Sequence, residues 1–398
     1  MTLVLFLVTL SILVLVHEFG HFIVARKNGI RVEEFGLGLP PRIFGKKFGE
    51  TLYSLNALPF GGFVRLTGED VIDDANASSE KTADLKPNTP TMDPRSFAAK
   101  SPLRRLSVLV AGVFMNLVLA VVLFYVYLFA NGLKTDYMPL FFEYKFRFGT
   151  EHVINTVITD IAKDSPADKA GIKAGEVIKA INGKEVTSIA DIRLANAIGL
   201  GEEIIYTLKD IQAVTGGDNS GSVDGSSIRE VTVAPIIDNK GNAIVGVYLG
   251  KVVYVSYDSP LEKAFAGFLQ AYNVTSYSLN GMRNLIALSV ATHDIQPVSE
   301  GVSGPVGIYN VVGGILKYSG NKVFLDLLNF VALMSVSLAF VNILPFPALD
   351  GGRALFVLIE FVFRKKINPY IEAQIHRFGM LVLLGLIVVI TFKDIFVK

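Results

Sequence analysis

The chain has 398 residues, of which 51% are hydrophobic, and a mean hydropathy of +0.47, which is too apolar for an ordinary soluble protein. Its formal net charge of +1 gives no strong basic field, so no nucleic-acid partner is expected. It has no cysteine, which excludes disulfides, zinc–thiolate sites and thiol nucleophiles, so His, Asp or Glu must hold any metal. The composition therefore predicts a membrane protein with a soluble insert.

The first apolar segment carries an H-E-x-x-H pattern at His17, Glu18 and His21. On a helix the two histidines fall on one face, about one turn apart, so both can bind one metal ion, and this is a zinc-site spacing. Glu18 can then take a proton from a water whose pKa the metal lowers. At ~1.5 Å per residue the segment reaches roughly 35 Å, enough to cross a hydrocarbon core of about 30 Å. Ionisable groups inside such a span predict an intramembrane site.

Two other interpretations of this segment are possible. It could be a membrane anchor in which HExxH occurs by chance, although two histidines and a glutamate are improbable in a hydrophobic span without a function. It could also be a signal peptide, but it has no basic start and no small-residue cleavage pattern. Residues 1–130 are therefore expected to form the first part of a membrane core.

Arg26 and Lys27 begin a basic segment, which by the positive-inside rule lies on the cytoplasmic side. Residues 32–66 have short apolar runs broken by Gly and Pro, which predicts a β-hairpin. Its edges could pair with an extended substrate backbone, or the hairpin could be purely structural, and the sequence leaves both open. Residues 69–102 are acidic and rich in Ser, Asn and Pro, which predicts a flexible linker.

A second span is predicted at 106–129, where the one strongly polar side chain is Asn116. An asparagine at membrane depth needs a partner. It either joins helices, or it forms a hydrogen bond with substrate or with the metal site.

The segment 131–322 is mostly soluble and, after two spans, is expected outside the cytoplasm, with 131–152 as a connector. Within 153–250, the run SPADKAGIKAGEVIKAINGK at 165–184 resembles a PDZ domain, a fold that binds peptide ends by adding a strand. The strand with Gly246, Val247, Tyr248 and Leu249 comes last, as in circularly permuted PDZ domains, and is the expected peptide groove. The loop 215–227 is expected to be a flexible insertion.

The segment 251–322 contains a long striped region, 259–288, with several polar side chains. This pattern predicts an amphipathic helix on the membrane or on the PDZ domain rather than a span. If it did span the bilayer, the sidedness of everything after it would invert.

The last part, 323–398, has an apolar run broken between Asn342 and Gly352. Pro345, Pro347 and two glycines unwind a helix there, which is tolerated only where the backbone faces protein or water. Asp350 lies in this break and is the expected third metal ligand, with a helix cap as the alternative. A fourth span follows at 375–392, and the nearby pair Glu372 and His376 is interpreted as solvated.

HEFGH at 17–21, Asn116, the PDZ segment and NILPFPALDGG at 342–352 occur in this order, and the chain thereby resembles the site-2 protease family of intramembrane zinc metalloproteases, of the bacterial regulator-of-sigma-E protease (RseP) type. The resemblance implies that His17, His21 and Asp350 bind Zn2+ and that Glu18 is the general base. It implies that Asn342 holds the substrate backbone or the oxyanion, with Asn116 as a second polar contact. The chain departs from the family at Gly112-Val113, where Gly-Pro is frequent, and in having one recognisable PDZ domain rather than two.

The predicted fold is a polytopic α-helical membrane protein with four transmembrane helices, a β-hairpin that the resemblance implies to be membrane-reentrant, and an inserted α+β PDZ domain. The predicted activity is cleavage of single-span membrane proteins, already cut by a site-1 protease, in the bacterial inner membrane. The hairpin and the loop with Pro345 and Pro347 are the expected strand partners of the substrate, and the active site lies toward the cytoplasm. The alternatives are a non-catalytic membrane scaffold with a peptide-binding PDZ domain and, less favoured, a metal-ion transporter.

Overall fold

The computed structural model describes residues 1–69, 93–210, 228–238, 241–365 and 367–396. It divides into two compact units. The first comprises Met1–Gly132 and Phe265–Lys398, and the second comprises Leu133–Ala264.

The helices are α1 (Thr2–Lys27), α2 (Pro102–Ala130), α3 (Pro166–Lys169), α4 (Ile189–Ile198), α5 (Pro260–Thr292), α6 (Gln296–Glu300), α7 (Pro305–Tyr318), α8 (Val323–Ile343), α9 (Asp350–Phe363) and α10 (Pro369–Phe396). The strands are β1 (Val32–Phe48), β2 (Thr51–Leu66), β3 (Met138–Pro139), β4 (Thr150–Ile161), β5 (Glu176–Ile181), β6 (Lys184–Glu185), β7 (Ile204–Asp210), β8 (Ile228–Val233), β9 (Ile236–Ile237), β10 (Ala243–Ile244) and β11 (Val247–Ser256).

Four helices of the described chain are long and apolar enough to cross a membrane, which confirms the predicted number. They are α1, α2, α8 with the turn before it, and α10. The helices α2 and α10 extend beyond the predicted apolar cores at 106–129 and 375–392, because their polar ends continue the same helix.

The helix α2 lies at the centre of the first unit, where it packs against α1, α8 and α9. Its crossing with α1 is unusually close at Gly20. A Cβ added there would lie 2.4 Å from the carbonyl oxygen of Ala111, so a larger residue does not fit. Lower on α2, Ala120 and Phe124 pack with Ala332 and Val336 of α8.

The predicted hairpin at 32–66 is present as β1 and β2, which pair antiparallel. Its base is anchored where Val32 and Leu66 join the core around Phe22 and Ala25 of α1. Along β1 the burial alternates up to Gly38 and then gives way to continuous exposure. Whether the exposed half enters a membrane stays a prediction.

Most of the predicted flexible linker at 69–102 and the predicted insertion at 215–227 lie outside the described residues. Within the described part of the linker, a short 3-10 helix runs from Phe97 to Ala99. The Phe97 ring is buried in the core formed with α1 and α2, so this end of the segment is packed rather than flexible.

The second unit is built on a seven-stranded sheet in the order β3-β11-β4-β5-β7-β8, with β6 paired to β5. All its pairings are antiparallel. The expected connector at 131–152 contributes β3 to this sheet. The helix α4 also belongs to this unit, and its first turn is closed by a capping box between Ser188 and Asp191.

The segment expected to form an amphipathic helix at 259–288 is α5, a single helix of 33 residues. Its buried side chains include Ala266, Gln270, Asn273 and Val274, which form one stripe along it. Among the described helices it is not one of the four membrane-length apolar ones, and its position relative to a membrane stays a prediction.

An ion pair joins two strands of the second unit. Arg229 on β8 donates from Nε to Glu176 Oε1 at 2.6 Å and from a terminal nitrogen to Oε2 at 2.7 Å. Burial acts to raise the pKa of Glu176, but the hydrogen bonds from Arg229 and from the Lys173 N–H outweigh it and lower the pKa below its usual 4.5.

A carboxylate with a lowered pKa stabilises the fold above its unfolded pKa and loses that contribution as pH falls through the folded value. We expect Glu176→Gln to reduce hydrogen-exchange protection of β5 and β8 at pH 7, and the difference from wild type to shrink as pH falls below the usual 4.5. Exchange measured by mass spectrometry on the whole chain checks this. The exposed Glu185→Gln on neighbouring β6 is the control. A difference that does not change with pH contradicts the assignment.

Candidate metal centre

The two histidines of the HExxH pattern lie on one face of α1, and both are buried, at 6% exposure for His17 and 9% for His21. A loop separates the end of α8 at Ile343 from the start of α9, and Asp350 is the first residue of α9. This loop therefore places the Asp350 carboxylate, from the far end of the sequence, next to the face of α1 that carries the two histidines.

The three side chains converge on one point. Asp350 Oδ2 lies 2.8 Å from His17 Nε2 and 3.2 Å from His21 Nε2, and the two nitrogens are 3.1 Å apart. Within the described residues, these are the His, Asp or Glu groups whose spacing could hold a metal ion. A tetrahedral zinc ion with bonds of about 2.0–2.1 Å has ligand atoms about 3.3 Å apart, so the donor set fits zinc.

The helix α2 packs against both rings. His21 donates from Nδ1 to the carbonyl oxygen of Val108 at 2.8 Å. Because a carbonyl oxygen can only accept, the proton of this ring is on Nδ1. The Asn116 carboxamide lies 3.2 Å from Nδ1 of His17. With Nδ1 of His21 donating to α2, the Nε2 lone pair of His21 is left for a metal.

Gly112 makes this approach possible. A Cβ added at Gly112 would lie 2.4 Å from His21 Nε2 and 2.6 Å from His17 Nε2. No side chain can therefore occupy this position while the rings stay where they are. The departure from Gly-Pro to Gly112-Val113 leaves the necessary glycine in place.

The loop before Asp350 is held by α10. Ala348 has a positive φ of 79°, rare for a residue with a side chain. Its N–H donates to His376 Nδ1 at 3.0 Å, and the imidazole packs edge-on against Phe356. The interpretation of His376 as solvated is therefore wrong, because the ring binds the backbone of the ligand loop. Its partner in that interpretation, Glu372, is half-buried.

The other residues predicted to act at the site surround the three converging side chains less closely. Glu18 is half-buried beside β2, since a Cβ added at Gly62 would lie 3.8 Å from its Cγ. Asn342 is half-buried in the last turn of α8, where the described structure gives it no hydrogen bond to the three converging side chains. Pro345 is exposed and Pro347 half-buried in the loop that follows.

The predicted peptide groove lies in the second unit. Gly246 has a φ of 87°, and Val247, Tyr248 and Leu249 begin β11, which pairs with β4. Val247 and Leu249 pack on the core, whereas Tyr248 is exposed. One side of β11 pairs with β4 along its length, and in the described sheet its other side pairs with β3 only at residues 252–253. On that second side, residues 247–249 have no strand beside them.

Sequence reasoning missed three contributors to the centre, namely the Val108 carbonyl, Gly112 and His376. A backbone carbonyl has no sequence signal. Gly112 lies four residues before Asn116 on the same helical face, and this spacing could have linked it to the same site.

Two histidines one turn apart and a distant carboxylate match the three-ligand set of catalytic zinc sites, which keep a further position for water or substrate. On four membrane-length helices, this set is the arrangement expected of a membrane zinc metalloprotease. The chain belongs to peptidase family M50, the site-2 proteases, whose sequence profile matches residues 5–386.

Similar proteins are also named as zinc metalloproteases. A predicted zinc metalloprotease of Clostridium perfringens is 35% identical over 390 residues, covering 98% of this chain and 97% of the relative. The zinc metalloprotease RasP of Oceanobacillus iheyensis is 26% identical over 469 residues, covering 99% of this chain and 98% of the relative. The predicted zinc cofactor is thereby confirmed.

Among solved structures, the PDZ domain of an SdrC-like protein from Listeria monocytogenes matches 24% of this chain and 87% of that chain, at 19% identity and a TM-score of 0.19. A match this weak carries no argument about the fold. The PDZ character of the second unit rests on the sequence pattern.

The space left by Gly112 gives a direct test of the centre. We expect Gly112→Ala to push the rings off their positions and to weaken zinc binding by roughly 10-fold or more, the scale of losses when ligand orientation is disturbed. Competition with a chromophoric chelator measures the affinity. Gly385→Ala on α10 is the control, because a Cβ there meets nothing within 4 Å. Equal zinc affinity in both variants would contradict the close approach of α2.

The contact of His376 with the ligand loop gives a second test. His376→Leu removes the acceptor for the Ala348 N–H, and we expect roughly 10-fold weaker zinc binding because the loop no longer holds Asp350 in place. His376→Asn keeps an acceptor close to the position of Nδ1 and should restore most of the affinity. If the asparagine variant is as weak as the leucine variant, the ring acts by packing and not through this hydrogen bond.

Proposed function

We propose that this chain is an intramembrane zinc endopeptidase that cleaves transmembrane segments of single-span membrane proteins. Regulated intramembrane proteolysis, for instance of anti-sigma factors or remnant signal peptides, is the process that fits it. The observation that carries the proposal is the convergence of His17, His21 and Asp350 within 3.2 Å of one another. Two of the three lie inside α1, itself a helix of membrane length, so hydrolysis there would take place at membrane depth.

In this proposal His17, His21 and Asp350 hold the zinc ion. When bound, zinc supplies Lewis-acid polarisation of a peptide carbonyl and makes water easier to deprotonate. Glu18 takes the proton from the attacking water and delivers it to the leaving amine. Asn342 donates a hydrogen bond to the substrate backbone or to the oxyanion as charge develops there.

A transmembrane helix hides its amides in its own hydrogen bonds, so it must unwind before its backbone can react. An extended substrate needs a strand partner to satisfy the freed groups in an apolar medium. The packing of β2 beside Glu18 and the loop with Pro345 and Pro347 before Asp350 support these elements as partners. The β-hairpin would thus present the substrate next to the general base.

The second unit would act as a PDZ filter that admits substrates already shortened by a site-1 protease. The edge of residues 247–249, beside which the described sheet has no strand, supports strand addition by a peptide end. In a bacterial inner membrane, the basic residues after α1 favour a metal centre near the cytoplasmic side and a PDZ domain outside it.

Glu18→Gln separates catalysis from metal binding. Glu18 is not among the metal-holding groups, so we expect the purified variant to keep about one zinc per chain while cleavage of single-span substrates falls by roughly 10²–10⁴-fold. Zinc is counted by mass spectrometry of the metal, and cleavage is followed on gels. A chelator should stop wild-type cleavage, and added zinc should restore it.

The matched control is Glu143→Gln, whose side chain is 97% exposed in the second unit. It should keep both zinc and activity. Full activity in Glu18→Gln would end the proposed mechanism, and zinc retention without cleavage of any substrate by wild type would favour the scaffold alternative.

A further inference from the structure

Asn116 is completely buried, at 0% exposure, on the face of α2 that meets the metal centre. Its Nδ2 lies 3.2 Å from His17 Nδ1. Its Oδ1 is also buried and, among the described residues, has no hydrogen-bond partner. A side chain with no exposure cannot touch an incoming substrate unless the helices move apart.

The partner of the other histidine has the same placement. His21 Nδ1 meets the carbonyl of Val108, and Val108 and Asn116 are eight residues apart, so both lie on one face of α2. The Nδ1 atom of each ring therefore meets a group of α2, and both Nε2 atoms lie within 3.2 Å of Asp350 Oδ2.

A histidine that binds a metal through Nε2 keeps a proton on Nδ1, and that proton needs an acceptor. The Val108 carbonyl meets this need for His21. For His17 the facing group is the carboxamide of Asn116, which presents an acceptor when it is turned so that its Oδ1 faces the ring. The two orientations of a carboxamide occupy the same space.

We propose that Asn116 is a positioning residue that accepts the Nδ1 proton of His17 and fixes the tautomer and the orientation of this zinc ligand. The inference rests on the zinc function proposed above and assigns Asn116 to the metal rather than to the substrate. The helix α8 holds the backbone of Asn116 in place, because the hydroxyl of the fully buried Ser335 donates to the Asn116 backbone carbonyl at 2.7 Å.

Two replacements separate this role from substrate binding. Asn116→Leu removes the acceptor at similar volume, and we expect it to weaken zinc binding by roughly 10- to 100-fold. Asn116→Asp keeps an oxygen acceptor and should stay within about threefold of wild type. At saturating zinc the KM of Asn116→Leu should be unchanged, because no substrate contact is lost.

The measurement is chelator competition on the full chain in detergent, with KM and kcat measured in parallel. Asn280→Leu on α5 is the control for losing an asparagine in the same unit. Asn116→Ala also lacks the acceptor and is prepared as a second variant in case Asn116→Leu does not fold. Zinc affinity is compared for whichever of the two elutes like wild type in size-exclusion chromatography. Wild-type zinc affinity in that protein, or a raised KM with unchanged zinc affinity, would overturn the inference. Loss of zinc from the wild-type chain itself would instead overturn the proposed function.

Discussion

The structure depends on one electrostatic constraint, which is that two imidazole nitrogens and a carboxylate oxygen meet within 3.2 Å in a unit made largely of apolar helices. Without a cation, a proton on one of the imidazoles would be needed to keep two nitrogens 3.1 Å apart and to compensate a poorly solvated carboxylate. A divalent ion meets both needs at once. The geometry of the three groups therefore fits a metal site.

Most of what surrounds the cluster serves to bring its parts within reach. Gly20 and Gly112 remove the side chains that would hold α2 away from α1. The helix α2 offers no metal ligand, yet both histidine rings meet it, one through a backbone carbonyl and one through a carboxamide. In the same way α10 gives no ligand but binds the backbone of the loop that ends in Asp350.

Much of this could be predicted from the sequence, because some residue types are costly anywhere but at a site. His17, Glu18 and His21 are conspicuous in an apolar span, and Asp350 is conspicuous among the prolines and glycines of a broken one. The four apolar helices and the hairpin follow from length and periodicity. The pairing of His17 with a residue 333 positions away follows from chemistry rather than from any local pattern.

The rest could not be predicted, because it arises from tertiary contacts that leave no mark on composition. The carbonyl of Val108 is a group that every residue has. His376 looked solvated because Arg377 and a basic loop lie beside it in sequence, whereas the fold turns its ring toward Ala348. The strand β3 has two residues, too few to show an alternating pattern, so the segment around it was expected to be a connector.

The long separation of His17 and Asp350 has a consequence for the newborn chain. At roughly 5–20 residues per second, a ribosome needs roughly 15–70 s to pass from one of these residues to the other, across 333 positions. Once the hairpin and α2 have been made, the first two helices and the hairpin exist without Asp350 for the rest of that interval. A growing chain therefore cannot bring all three of these side chains together before Asp350 has been made. The order of synthesis alone delays the assembly of the cluster until 350 of the 398 residues have been made.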